Sequence, residues 1–154
     1  MSAHHAVVRW RMGEGVFTKG RYSREHTWSF DGGVTVPASP SPSVVPAPWS
    51  NPAHVDPEEA FVASVSSCHM LTFLHLASRA GHEVAAYDDD AVGEMTKNDE
   101  GRWWISRVTL SPRIAWVGET RPTPAEEAAL HDAAHHECFI ANSVRTEIVV
   151  RPID

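Results

Sequence analysis

Nineteen consecutive residues, Ala60 to Ser78, carry no Asp, Glu, Lys or Arg. Directly before them stands a helix start: Asp56 at the cap position, Pro57 first in the helix and Glu59 three residues after the cap. In that arrangement the cap side chain and the Glu side chain each satisfy the other residue's backbone N–H. Phe61, Val62, Val65, Met70, Leu71, Phe73, Leu74 and Leu76 put apolar groups on almost every face, so the helix is expected to be buried on most sides. Gly81 is its natural stop. The stretch is nearly long enough to span a bilayer. Ser64, Ser66, Ser67, His69, Thr72, His75 and Ser78, however, suit the middle of a soluble protein better than lipid. The rest of the chain must build a core around this one helix.

The flanking sequence supplies strands. Val8, Trp10 and Met12 alternate with Arg9 and Arg11, the pattern of a half-buried strand, which Gly13 and Gly15 break. Arg24 to Phe30 reads as extended and stops at Asp31-Gly32-Gly33. From Val36 to Val55 a Pro- and Ser-rich stretch is expected as a long loop, which is usually functional or wraps a neighbour. Val84 to Lys97 reads as extended and Asn98-Asp99-Glu100-Gly101 as a turn. Trp104, Val108, Leu110, Ile114 and Trp116 share one face of a long strand bent at Pro112. A second helix starts at Thr123, with Pro124 first and Glu126 at the capping position, and runs to Glu137. Val144, Thr146, Ile148 and Val150 form a closing strand. Antiparallel strands punctuated by two helices predict an α+β fold in one domain over residues 1–154.

Charge limits the partners. With 13 Lys and Arg against 20 Asp and Glu, the formal charge is −7, which argues against nucleic acid. The first ten residues show no basic segment followed by an apolar run, so the chain reads as cytoplasmic, with no membrane partner. There are two cysteines, Cys68 and Cys138, too few for a disulfide framework. Cys68 lies in the small, polar run Ser66-Ser67-Cys68-His69 inside an otherwise apolar helix, where another group has room to approach the thiol. Read from the residues alone, it is either a buried inert thiol or a redox group. Cys138 ends the second helix, and His131, His135 and Cys138 follow one another at helical spacing, which opens an alternative reading as a zinc-type metal module.

The run from Val55 through Asp56-Pro57-Glu58 to Ser67-Cys68-His69-Met70 resembles the helix motif of the OsmC/Ohr family of thiol peroxidases. The spacing from Glu58 to Cys68 matches that of the family's helix start to its peroxidatic cysteine, and Cys138 stands where the family's second cysteine does. The resemblance implies an intertwined homodimer that uses no cofactor or metal. It would reduce organic hydroperoxides through a Cys68 sulfenic acid and a Cys68–Cys138 disulfide, with an external thiol or dithiol as reductant. The family's helix-start Glu carries onto Glu58, and its N-terminal Arg onto Arg24, with Arg21 as second choice. The competing class is a non-catalytic or metal-binding module on the same fold. Two departures point to a side branch: Phe139-Ile140-Ala141 follows Cys138 where many relatives have Pro and a small polar residue, and His69-Met70 follows Cys68 where many have Phe.

The implied chemistry needs a thiolate, and an ordinary thiol near 8.5 is ionised only to a few per cent at neutral pH. A cation that never deprotonates, Arg24, would compensate, held by Glu58. Ten residues of helix rise about 15 Å, so Glu58 reaches Cys68 only through a kink or from a partner subunit, and the partner is preferred. Phe61, Met70, Phe73, Trp28 and Trp49 are candidates to line an apolar peroxide channel, and His26, His69 and His75 to tune the site.

Overall fold

Both helix starts fold as their residues dictate. The computed structural model describes residues 1–153. Helix α1 spans Pro57–Arg79. At its head the Glu59 N–H donates to Asp56 Oδ1 (2.7 Å) and the Asp56 N–H to Glu59 Oε2 (3.2 Å). Helix α2 spans Pro124–Glu137 and carries the same reciprocal pair between Thr123 and Glu126. At the end of α1, Gly81 takes φ +84°, and His82 N–H donates back to the Ala77 carbonyl while Gly81 N–H donates to that of Ser78. A side chain at that left-handed position would be strained, which is why Gly stops the helix there.

By internal contacts the chain falls into two compact units, Met1–Ala60 and Phe61–Asp154. The first holds β1 (Ala6–Arg9), β2 (Gly15–Val16), β3 (Arg21–Tyr22), β4 (His26–Phe30) and β5 (Thr35–Ala38). β4 is the middle strand of an antiparallel sheet between β1 and β5, and β2 pairs with β3. The strand expected through Met12 ends at Arg9, and its four residues are exposed rather than half-buried. Trp10 leaves the ladder to give its indole N–H to the Ser23 carbonyl (2.9 Å) and to pack edge-on against Tyr22. The long loop is shorter than expected, because Val36 to Ala38 belong to β5. Pro37 is tolerated there because β5 is the edge of this sheet. Beyond it, Asn51 pins the loop: its N–H bonds Ser39 Oγ (2.8 Å) and its side chain Glu25 (2.8 Å).

The second unit holds most of α1, all of α2, and β6 (Val84–Asp89), β7 (Val92–Lys97), β8 (Trp103–Leu110), β9 (Pro112–Trp116) and β10 (Glu147–Val150). β8 lies between β7 and β10, and β6 pairs antiparallel with β9. The expected long strand bent at Pro112 is therefore two strands in two sheets. Ser111 N–H leaves the ladder for Asp89 Oδ1 (2.6 Å), and Pro112 has no N–H to resume it. The closing strand starts at Glu147 rather than Val144 and runs parallel to β8, not antiparallel.

Two apolar clusters fill this unit. Val65, Val108 and Leu110 form one, backed by Phe61 and Ile148; Phe73, Ala77 and Ala134 form the other, backed by Ile114 and Trp116. A Cβ on Gly93 would come within 2.5 Å of Val62 Cγ2, so β7 passes beneath α1 only because that position has no side chain. α1 is long and apolar enough, by length and composition, to cross a bilayer. It is not buried on most sides, however. One stripe, Val65, His69, Phe73 and Ala77, faces the core, while Ala63, Ser67 and Leu71 are exposed. Leu71, on the face away from that stripe, is 61% exposed.

Candidate active site

Cys68 stands midway along α1, half-buried, beside the exposed Ser67. Its carbonyl accepts from Thr72 Oγ1 (2.9 Å). Cys138 caps α2 at its C-terminal end, its N–H still bonded to the Ala134 carbonyl while its backbone turns extended. Asn142 closes that helix end with bonds from its side-chain amide to the His136 and Cys138 carbonyls. The Cys138 side chain is 1% exposed, and the Ala141 N–H points at its sulfur (3.4 Å).

These elements bring the two thiols near enough for Cys68 to perturb Cys138, and both are reduced. Burial first, and then the Cys68 thiol beside it, push the Cys138 thiol up to about 11. Cys138 therefore keeps its proton at neutral pH.

The other expected site residues are placed as follows. Glu58 lies half-buried in the first turn of α1. The helix is unbroken from Pro57 to Arg79, so the kink that would bring Glu58 back toward Cys68 is not there. Arg24 lies between β3 and β4. Its guanidinium stacks on the Tyr22 ring (4.1 Å to the centroid) and bonds the carbonyls of Tyr22 (2.9 Å) and Gly20. With Trp10, Phe17, Tyr22, His26 and Pro40 it lines an open cavity of about 460 Å³ within the first unit. Arg21 is exposed. Among the channel candidates, Phe73 is fully buried between Tyr87, Trp116 and His131 and belongs to the core. Phe61 packs on the Val65 cluster. Met70, Trp28 and Trp49 are half-buried.

The metal alternative on His131, His135 and Cys138 finds no geometry. Among the described residues no three His, Cys, Asp or Glu side chains converge to hold an ion. His131 turns instead to His69, with Nε2 of His69 3.0 Å from Nδ1 of His131 and the rings stacked within 6° of parallel. Both imidazoles are buried, and His131 also stacks on Phe73. Burial, then the neighbouring His135, hold His69 down at about 4 against the pull of Asp89. Burial, then His69, hold His131 down at about 4 against the pull of Asp132. The pair is neutral at physiological pH. The sequence offers His69 as one of three candidates to tune the thiol and His131 only in the alternative metal reading, and does not join them. The four-residue spacing Val65, His69, Phe73, Ala77 was the available signal, since it puts His69 on the buried stripe.

The family model for OsmC-like proteins matches residues 50–152 of the chain. An OsmC-like protein of unknown function from Vibrio cholerae is 49% identical, with a TM-score of 0.96 over 99% of this chain and 100% of its own. An organic hydroperoxide resistance protein from Elizabethkingia anophelis shares 18% identity, with a TM-score of 0.72 over 99% of this chain and 94% of its own. The organic hydroperoxide resistance protein OhrB of Bacillus subtilis shares 17%, with a TM-score of 0.71 over 99% and 98%. At those identities the last two show the fold alone. No curated protein matches the chain.

Proposed function

The chain belongs to the OsmC-like protein family, and from that premise we propose that it is a cysteine-based peroxidase reducing organic hydroperoxides to alcohols. The observation that carries the reading is a half-exposed thiol, Cys68, near enough to perturb a buried, firmly protonated one, Cys138. That asymmetry fits one attacking and one resolving sulfur. Cys68 attacks the terminal peroxide oxygen as its thiolate. The O–O bond breaks, the alkoxide takes a proton and leaves as alcohol, and Cys68 becomes a sulfenic acid. Cys138 then attacks that sulfur; its proton leaves with the hydroxyl as water and a disulfide forms. An external thiol or dithiol returns both sulfurs to the reduced state.

Arg24 is assigned the cationic role that favours the thiolate, and Glu58 that of holding its guanidinium, as the family resemblance implies. The helical rise between Glu58 and Cys68, about 15 Å, favours a partner subunit as the source of the acid. We therefore read the chain as one OsmC-like domain that works as an intertwined homodimer in the cytoplasm. The exposed Val7, Val8, Phe17 and Leu71 suit a chain that a second copy covers. A monomer in sedimentation with full peroxidase activity would overturn this assembly.

The direct test is a thiol count and intact mass before and after stoichiometric cumene hydroperoxide, on wild type and on Cys138→Ser. Loss of both thiols in wild type with about two hydrogens of mass, and a sulfenic or over-oxidised Cys68 in the variant, is the expected result. Unchanged thiols in both would remove the mechanism.

A further inference from the structure

The His69–His131 bond is a costly way to fill a core. One ring nitrogen of each pairs with the other, which leaves Nδ1 of His69 and Nε2 of His131 buried with no partner among the described residues. Two apolar side chains of similar volume would avoid that penalty. The bond's place in the fold shows what it does. α1 carries Cys68 and His69 as neighbours, while α2 carries His131 seven residues before Cys138. The links Cys68–Cys138 and His69–His131 thus start from almost one level of α1 and end about two turns, or roughly 10 Å, apart along α2. The imidazole bond therefore ties α1 to α2 about two turns before the resolving thiol. Unlike the apolar contact of Ala134 with Phe73 and Ala77, it is directional and fixes rotation as well as distance.

We propose that His69 and His131 are positioning residues for disulfide closure, which tie α2 to α1 so that Cys138 stays near Cys68. They touch neither peroxide nor the reacting oxygen. The step they serve is attack of the Cys138 sulfur on oxidised Cys68; attack of Cys68 on peroxide proceeds without them. The proposal rests on the peroxidase reading for its biological role, but the geometry can be tested apart from it with diamide. That reagent adds to one thiolate and is released as its hydrazine when the second sulfur attacks the first.

The experiment compares wild type, His69→Leu/His131→Leu, His131→Leu and His131→Asn, the last offering a side-chain amide near the position of Nδ1. Three quantities are read: thermal midpoint, rate of Cys68–Cys138 closure with diamide and with cumene hydroperoxide, and the peroxide excess at which half of Cys68 reaches sulfinic acid. The expected result is a double-Leu variant as stable as wild type or more so. Its closure is at least tenfold slower with either oxidant, its sulfinic acid forms at a lower peroxide excess, and its initial peroxide consumption per Cys68 is unchanged. His131→Asn should close within about twofold of wild type. A folded double-Leu variant closing at the wild-type rate overturns the proposal. If the double variant does not fold, equal closure by His131→Leu and His131→Asn overturns it instead, and a tenfold gap between them upholds it. A wild-type chain that closes with diamide and ignores peroxide defeats the peroxidase reading alone.

Discussion

The two units of the chain hold their chemistry differently. Residues 61–154 bury Val65, Phe73, Ala77, Val108, Leu110 and Ala134 and carry both cysteines, Cys138 buried and Cys68 half-buried. Residues 1–60 bury a single apolar residue, Ala38, and leave Val7, Val8, Phe17 and Val34 in the open. The second unit can draw its stability from packing; the first is held by backbone ladders, the Asn51 bonds and stacked aromatics.

The largest expected effect tests whether that division is also one of function. Cys68→Ser should lower hydroperoxide turnover by more than roughly a thousandfold, with Arg24→Ala costing roughly a hundredfold, in a coupled peroxide assay. An Arg24→Ala loss below twofold would confine the chemistry to residues 61–154. Next comes packing. Phe73→Ala should destabilise by about 3–5 kcal/mol in urea unfolding, since it empties a fully buried site. Phe17→Ala, at a position 55% exposed, should cost under about 1 kcal/mol at low protein concentration, with a larger, concentration-dependent cost if a second copy covers it.

The buried imidazoles give the second unit a pH signature. Both sit near 4 in the fold against an ordinary value of 6.5. Between those values the unfolded chain binds the extra protons, so stability falls as pH drops from 6.5 toward 4. The fall is on the order of 3 kcal/mol for the first histidine of the pair. His69→Leu/His131→Leu should flatten that slope; an unchanged slope would place the acid sensitivity elsewhere. The smallest effects come from the two helix caps, one in each unit. Asp56→Ala should cost about 1–2 kcal/mol, because the carboxylate is nearly buried, and Thr123→Ala about 0.5–1 kcal/mol, both read by thermal unfolding.

What the sequence made legible was local. Asp56-Pro57 with Glu59 and Thr123-Pro124 with Glu126 gave both helix starts, because a cap and its reciprocal bond lie within four residues. Asn98 to Gly101 gave a turn for the same reason, and its Gly101 N–H does bond the Asn98 carbonyl. The break at Ser111 was hidden because Trp104, Val108, Leu110, Ile114 and Trp116 keep one alternation through it; only the distant Asp89 shows that the ladder changes partners. The parallel pairing of β10 with β8 joins Glu147 to Arg107, forty residues apart, and leaves no mark on either strand. Of the candidate site, the pairing of Cys68 with Cys138 came from family likeness and not from their spacing, whereas helical spacing puts His69 on the buried stripe but cannot name its partner His131, sixty-two residues on.

The burial of Cys138 also gives the reduced chain a practical identity. To a bulky alkylating reagent at neutral pH it presents one address, not two, because the Cys138 sulfur is both shielded and protonated. A maleimide dye should therefore mark Cys68 stoichiometrically on the unmutated protein, and the second sulfur should become addressable only as the end of α2 comes loose. Labelling of Cys138 is then a clock for the opening of that helix end, read by mass in a protein that has not been altered.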